Sequence, residues 1–511
     1  MSIKKLAGQT IYYGLSNIIS KLLNYLLTPF YLGIISASAF GEMSTAYSYV
    51  PFANIVLTYG METAFFRFAK KDKEQQVLST SMISLIFSTI GATLLLFLLQ
   101  SPITHSHSGE MAGMAGHASF YFYIVMIMAF DALTAIPYAQ LRLENRPLRY
   151  AYIRIANIVT NIGFNIFFLK ICPMLYSSGH HWVPDVLGGG ATLGYIYLSN
   201  MLASGLTLVM FLPQIRRIKW EFNSGLWKEM IVYALPLIIV GMAGMVNETF
   251  DRAWFLPTFL PGSDEEKKKA LIGIYSANYK LAILINMFIQ GFRLGAEPFF
   301  FKQAEQENPQ KVYARIMKIF VILLCAMFLF VSLYLSVWKI FLRKPEYYEG
   351  LRIVPLLLMG YIFLGIYYNL TIWFKLTNNT RAGAVITLIS AGLAFLLNWW
   401  WIPIMGYFGA ALATMVCYLV QMIICYVWGQ KHYPVPYHLP KILTYITLAI
   451  GGYYLYNWIN STFISPGHIY ALKASSLALA TFFFVAYLVF VFRMEKREFA
   501  RFPIIGKYIR E

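Results

Sequence analysis

The chain has 511 residues, 59% of them hydrophobic and 13% charged, with a net charge of +18. A helix crossing hydrocarbon needs about 20 apolar residues, and runs of that kind fill almost the whole length, which excludes an extramembrane catalytic domain. The basic excess falls in alternate loops rather than along one face, which excludes nucleic acid as the partner and points to a membrane topology.

Hydropathy places spans at about 9–35, 43–66, 78–99, 118–141, 149–171, 189–213, 229–256, 271–300, 315–341, 350–374, 382–403, 406–429, 441–459 and 469–492. The expected fold is therefore an all-α polytopic membrane protein of about 14 transmembrane helices. Asn17, Lys21, Asn24 and Thr28 in the first span are spaced to share one helical face. The second span ends on Glu62 and Arg67, which are read as ion-pairing residues. Asp131 is central in the fourth. Arg154, Asn157, Asn161 and Asn165 make a second polar stripe in the fifth. In the seventh, Glu248, Asp251 and Arg252 lie together, and Glu248 to Arg252 has the i,i+4 spacing of a pair. Asn286, Gln290, Arg293 and Glu297 form a third stripe in the eighth. Charges at membrane depth are costly and face a cavity or a partner, so Lys21, Arg154 and Arg293 are the sharpest candidates for a cationic cavity. Asp131, Glu248 and Asp251 are candidates for a coupling proton or sodium ion. Local pairing of Arg293 with Glu297 is the structural alternative. Lys280 is left undecided between snorkelling and a cavity. Lys170 and Lys375 are read as snorkelling residues.

Lys4, Lys5, Arg142, Arg146, Arg216, Arg217, Lys219, Lys431 and the basic tail from Arg493 to Arg510 share one side, so both termini are expected in the cytoplasm. The basic segment Gln214–Lys228, with Trp220, Phe222, Leu226 and Trp227, is expected to lie on that membrane surface. Trp399, Trp400 and Trp401 suit an interfacial aromatic belt at the opposite face. Pro51, Pro137, Pro236 and Pro298 are expected to interrupt helices. The cysteines Cys172, Cys325, Cys417 and Cys425 lack metal-ligand spacing and read as small buried groups. His105, His107, His117, His180 and His181 read as solvated loop residues, and the sequons at Asn369, Asn378 and Asn460 as chance patterns. No nucleotide, metal or nucleophile–base motif is present, so neither an enzyme nor a cofactor is expected beyond a coupling H+ or Na+.

The second and eighth spans echo one another. Gly41, Tyr47, Asn54 and Glu62-Thr63-Ala64-Phe65-Phe66-Arg67 parallel Gly273, Tyr279, Asn286 and Glu297-Pro298-Phe299-Phe300-Phe301-Lys302. Six spans separate them, so the repeat is parallel, a plan known among transporters. The expected division is an N-lobe over 1–214, a C-lobe over 215–437 and an appendage with a basic tail over 438–511.

Gln9-Thr10-Ile11-Tyr12-Tyr13-Gly14-Leu15, Leu26-Leu27-Thr28-Pro29-Phe30-Tyr31, Phe40-Gly41, Tyr59-Gly60-Met61-Glu62-Thr63-Ala64-Phe65-Phe66-Arg67, Asp251-Arg252 and Gly273-Ile274-Tyr275-Ser276-Ala277-Asn278 carry a resemblance over nearly the whole chain. The chain resembles the polysaccharide (O-antigen type) flippases of the multidrug/oligosaccharidyl-lipid/polysaccharide exporter superfamily. The resemblance implies two six-helix lobes around an alternating-access cavity in a bacterial inner membrane. It also implies a lipid-linked glycan as cargo, a cation gradient as energy source, and polysaccharide assembly proteins as partners. Lys21, Arg154 and Arg293 would meet the diphosphate, and the Asn and Gln side chains the sugar hydroxyls. A multidrug exporter of the same superfamily should instead present acids to organic cations. A membrane polymerase or ligase would need a larger outer loop than the chain offers.

Overall fold

The computed structural model describes residues 3–69, 73–114, 117–179, 193–377, 379–465, 470 and 472–499, and every regular element among them is helical. The main ones, in chain order, are α1 (Ile3–Ile34), α2 (Ala37–Thr58), α3 (Met61–Phe68), α4 (Glu74–Leu98), α5 (Ala118–Leu143), α6 (Pro147–Ser177), α7 (Leu193–Ile215), α8 (Ser224–Phe259), α9 (Glu265–Gln303), α10 (Pro309–Leu333), α11 (Pro345–Leu376), α12 (Thr380–Met405), α13 (Tyr407–His432), α14 (Leu439–Ile459) and α15 (Ala474–Met494). Eleven of them, α4 to α13 and α15, are long and apolar enough to cross a membrane. The chain is a multi-pass membrane protein. Helices α1, α2 and α14 occupy the remaining expected positions; α2 and α14 fall short of the same length-and-hydropathy measure, and α1 is apolar over Ile18–Ile34.

The helix breaks differ from those expected. Pro51, Pro137 and Pro236 lie inside continuous helices. The second span breaks instead at Tyr59 and Gly60, both left-handed at φ 33° and 72°, where α2 stops and α3 begins. Glycine adopts that conformation without steric cost. A Cβ on Gly60 would also stand 3.2 Å from the Ala234 carbonyl oxygen, so the turn lies tight against α8. Two further irregularities are π-helical turns, Phe167–Ile171 within α6 and Asp251–Phe255 within α8. All four cysteines are buried, as expected.

Two compact units are present: residues 1–277 with 387–414, and residues 278–386 with 415–511. In the first, α2 and the start of α9 cross at backbone contact. A Cβ on Gly41 would lie 1.9 Å from the Lys269 carbonyl oxygen, and one on Gly273 would lie 1.9 Å from that of Ala37. The contact is reciprocal: the register that aligns Gly41 with Gly273 also aligns Ala37 with Lys269. A local two-fold relation between repeated helices produces this pattern. Small residues let backbones approach this closely, and dispersion then supplies much of the helix association in lipid. Around the crossing, Lys269 Nζ pairs with Glu42 at 2.7 Å, the Tyr49 hydroxyl donates to the Ala253 carbonyl, and His107 Nε2 donates to the Pro257 carbonyl at 2.8 Å. His107 thus tethers its loop while remaining exposed. His180 and His181 lie outside the described residues.

In the second unit α10 packs against α11, α14 and α15. The centre of that packing is an ion cluster. Lys318 on α10 is 4% exposed and bonds at 2.5 Å to Glu495, which is 3% exposed at the end of α15. Lys441 and the Tyr445 hydroxyl, both on α14, bond the same carboxylate at 2.8 and 2.6 Å. One acid therefore ties three helices. Burial alone would raise the Glu495 carboxyl, but the bonds from Lys318, Lys441 and Tyr445 outweigh it and hold it below the usual glutamate value. The sequon asparagine Asn460 is buried and accepts from Ser476 Oγ at 2.8 Å, so its amide is engaged in packing.

Two outcomes follow for the purified protein. Gly41→Ala or Gly273→Ala should cost about 1–3 kcal/mol, the range for an overpacked contact, read as a lower thermal midpoint. Glu495→Ala leaves a buried lysine unpaired and should cost about 3–5 kcal/mol, whereas Lys318→Met with Glu495→Leu should recover most of that loss. Because the folded carboxyl lies low, its stabilisation is complete above the unfolded glutamate pKa and is lost as pH falls through the folded one. Acid unfolding of Glu495→Leu/Lys318→Met should therefore depend less on pH.

Candidate functional site

Five helices of the first unit turn polar faces onto one cavity of about 360 Å³. Helix α5 supplies Asp131, Thr134 and Tyr138, α6 supplies Arg154 and Asn157, α7 supplies Asn200, Ser204 and Thr207, and α2 with α3 supplies Asn54, Thr58 and Glu62. Each set repeats at three or four residues, the spacing that aligns side chains along a helix. Ser204 Oγ donates to Asp131 Oδ1 at 2.9 Å, and Asn157 Nδ2 donates to Thr207 Oγ1 at 2.9 Å. At one side Asn200 Nδ2 donates to the Tyr47 hydroxyl at 3.1 Å.

The cation of the cavity is Arg154. Its guanidinium lies 4.2 Å from the Tyr138 ring centre and 5.7 Å from that of Tyr150, which fixes it by cation–π attraction. Arg154 Nε and Asn54 Oδ1 are sealed from solvent without a hydrogen-bond partner in the protein. Buried polar atoms are normally satisfied, so this part of the cavity wall has unmet hydrogen-bonding capacity. Glu62 does not add free negative charge, because Arg142 on α5 pairs with it. Arg67 lies instead over the Tyr233 ring at 4.5 Å, so the acid and base that close the second span take different partners.

The other expected site residues fall in three places. Lys21 and Asn24 on α1 are exposed and do not line this cavity, and the Asn17 side chain lies outside the described residues. Asn165 is buried and donates to Asn161 at the backbone oxygen and at Oδ1, so that end of the stripe is closed on its own helix. In the second unit Gln290 Nε2 donates to Asn286 Oδ1 at 3.2 Å, and Arg293 Nε donates to Glu297 Oε1 at 3.2 Å. Lys375 also bonds Glu297, so it is an ion-pair member rather than a snorkelling residue. Arg293 keeps 44% of its side chain exposed beside Tyr368, and the recess behind it holds only about 10 Å³. Lys280 is half-buried on α9.

The pairing expected between Glu248 and Arg252 takes another form. Arg252 pairs with Asp251 at 3.3 Å and donates to the Glu248 backbone carbonyl. The wider π-helical turn over Asp251–Phe255 is the reason, since it shifts the register on which an i,i+4 pair depends. Asp251 also accepts from the Tyr275 hydroxyl at 2.5 Å and from its own helix at Arg252 N.

The sequence reading had named neither the α7 set nor Thr134, Tyr138 and Thr58. Asn200, Ser204 and Thr207 repeat at four and three, the same signal as the stripes that were recognised. Ser and Thr carry it faintly, because they also bond their own helix, as Thr207 does to the Ala203 carbonyl.

A family profile described as polysaccharide biosynthesis protein matches residues 6–302, more than half of the chain. The chain belongs to that family. Its fold is similar to that of a solved structure described as lipid II flippase MurJ in an inward closed conformation, with a TM-score of 0.70 at 12% identity, over 94% of this chain and 99% of that one. It is similar also to a multidrug resistance MATE family transporter of the MOP superfamily in its inward-facing conformation, at TM-score 0.52 and 14% identity, over 84% and 94%. At these identities the likeness establishes the fold. Among curated proteins an uncharacterized membrane protein of Haemophilus influenzae is 18% identical over 301 residues, 58% of this chain. The chain spans 65% of the length of that curated relative.

Asp251 has the partners of a structural acid, and removing its charge tests that role. Asp251→Asn weakens bonds to a cation and a tyrosine and should cost about 1.5–3 kcal/mol of stability in detergent. An unchanged thermal midpoint would show that those bonds do not support the fold.

Proposed function

We propose that this membrane protein is a flippase. It moves an undecaprenyl-diphosphate-linked oligosaccharide from the cytoplasmic to the outer leaflet of a bacterial inner membrane by alternating access, using a proton or sodium gradient. Both termini lie in the cytoplasm on this reading, in keeping with the basic loops. Family membership and the MurJ-like fold support it. Polysaccharide assembly proteins are the expected partners.

The observation that carries the reading is the pairing of Arg154 with its cavity. A guanidinium that rests on tyrosine rings and lines the cavity suits phosphate oxygens, to which arginine binds in fork geometry. The surrounding amides and hydroxyls of Asn54, Asn157, Asn200, Ser204 and Thr207 offer donors and acceptors to sugar hydroxyls. Asp131, bonded to Ser204 and facing the same cavity, is the candidate for the coupling ion. The rival reading, an antiporter of organic cations, draws on Asp131 and Glu62 in the lining. It is the weaker one, because Arg142 neutralises Glu62 and Arg154 offsets Asp131, so no net acid faces the cavity.

The decisive experiment replaces the chromosomal copy with variants and follows surface glycan and lipid-linked intermediates. Arg154→Ala should lower export by about tenfold or more, the loss of a charge-assisted bond. Lipid-linked glycan should accumulate on the cytoplasmic face while protein levels hold. Full export from Arg154→Ala would remove the site, and loss of organic-cation efflux with intact export would favour the antiporter. Asp131→Asn should blunt the response of transport to an imposed proton or sodium gradient; a wild-type response would exclude that acid.

A further inference from the structure

The segment joining α7 to α8, expected to lie along the membrane surface, packs on the protein at Ile218 and Leu226 and leaves 219–222 exposed. Ile218 and Leu226 are buried in a core with Met61, Val77, Leu78 and Met82. Asn223 N donates to Thr80 Oγ1 at 3.3 Å, and the Asn223 side chain caps α8 by accepting from Leu226 N at 2.9 Å. Trp220 and Phe222 remain outside, 58% and 47% exposed.

This docking forms one wall of a groove of about 620 Å³, lined by Tyr59, Ser84, Phe87, Ser88, Phe222 and Trp227. The polar atoms of the groove are already engaged with one another. The Tyr59 hydroxyl and Ser84 Oγ are 2.6 Å apart, Trp227 Nε1 donates to Ser84 Oγ at 2.7 Å, and Ser88 Oγ lies 3.5 Å from the Tyr59 hydroxyl. What the groove presents is therefore apolar. The same segment carries Arg216, Arg217, Lys219 and Lys228, all exposed, against the exposed acids Glu221 and Glu229. An apolar channel and a cationic cluster thus meet on one docked segment, with Trp220 exposed beside them, as an interfacial residue would be.

We propose that the groove holds one acyl chain of an anionic phospholipid whose phosphate rests on Arg216, Arg217, Lys219 and Lys228. The groove's exposed lining is apolar and its size of about 620 Å³ leaves room for a fatty-acyl chain, which suits it to the hydrocarbon part of a lipid. The charge sets the headgroup, since each base near a membrane surface favours an anionic lipid by about fivefold. The bound lipid would pin the joint between α7 and α8, independently of what the protein transports.

The test uses the full chain in detergent with mixed phosphatidylglycerol and phosphatidylcholine of matched acyl length, and counts retained lipid by native mass spectrometry. The wild type should keep phosphatidylglycerol over phosphatidylcholine by at least tenfold. Arg216→Gln/Arg217→Gln/Lys219→Gln changes only exposed side chains and should bring the two lipids near parity. Ser88→Phe, which fills the groove, should lower retention of both, and a short-chain phosphatidylglycerol should bind more weakly than the long-chain form. Equal retention of both headgroups by the wild type overturns the proposal, as does full preference in the triple variant. Equal binding of short and long chains removes the groove, and displacement of the phospholipid by polyprenyl phosphate assigns it to another lipid.

Discussion

Hydrocarbon cannot solvate an unpaired charge, and the arrangement of this protein follows from that constraint. A charged side chain at membrane depth must find a counter-charge, an aromatic face or a water-filled space. Burial imposes the same need outside the spans, where Glu495, just past the end of α15, gathers Lys318, Lys441 and Tyr445. Asp251 takes Arg252 and Tyr275. Arg154 lies on two tyrosine rings and faces a cavity. The first two are saturated and hold helices together. The third lines a polar cavity, and that difference separates a charge spent on packing from one that faces open space.

The same solvent explains the glycine crossing. Lipid tails are as apolar as leucine, so helices gain little from apolar burial alone and depend on close packing. Gly41 and Gly273 bring α2 and α9 to backbone contact, and Glu42 with Lys269 closes a salt bridge one residue from one and four from the other. The reciprocity of Gly41–Lys269 with Gly273–Ala37 gives the sequence echo between the second and eighth spans a physical meaning. Only glycine fits on both sides because each faces the other's preceding turn.

Much of the candidate site was legible before the structure. Arg154, Asn157 and Asp131 stood out because polar residues at helical spacing are rare in apolar spans, and they do meet at one cavity. Other readings failed for local reasons. The Glu248–Arg252 spacing assumed an unbroken α-helix, and a π-helical turn alters it. Lys375 looked like an isolated base near a helix end, but its partner Glu297 is 78 positions away. The prolines looked like breaks, yet the break fell at Tyr59–Gly60, where two consecutive residues take left-handed conformations.

Composition and periodicity by themselves determined that this is an all-helical membrane protein and which helix faces carry polar groups. Those properties depend on the solvent and on the helix repeat, and both can be read along a single chain. Only the tertiary structure decided that Glu62 belongs to Arg142 rather than to Arg67, that Arg154 rather than Lys21 lines the polar cavity, and that the 214–228 segment builds a groove. Partner choice depends on which distant helices are neighbours and on how each face is rotated, and no single helix encodes either.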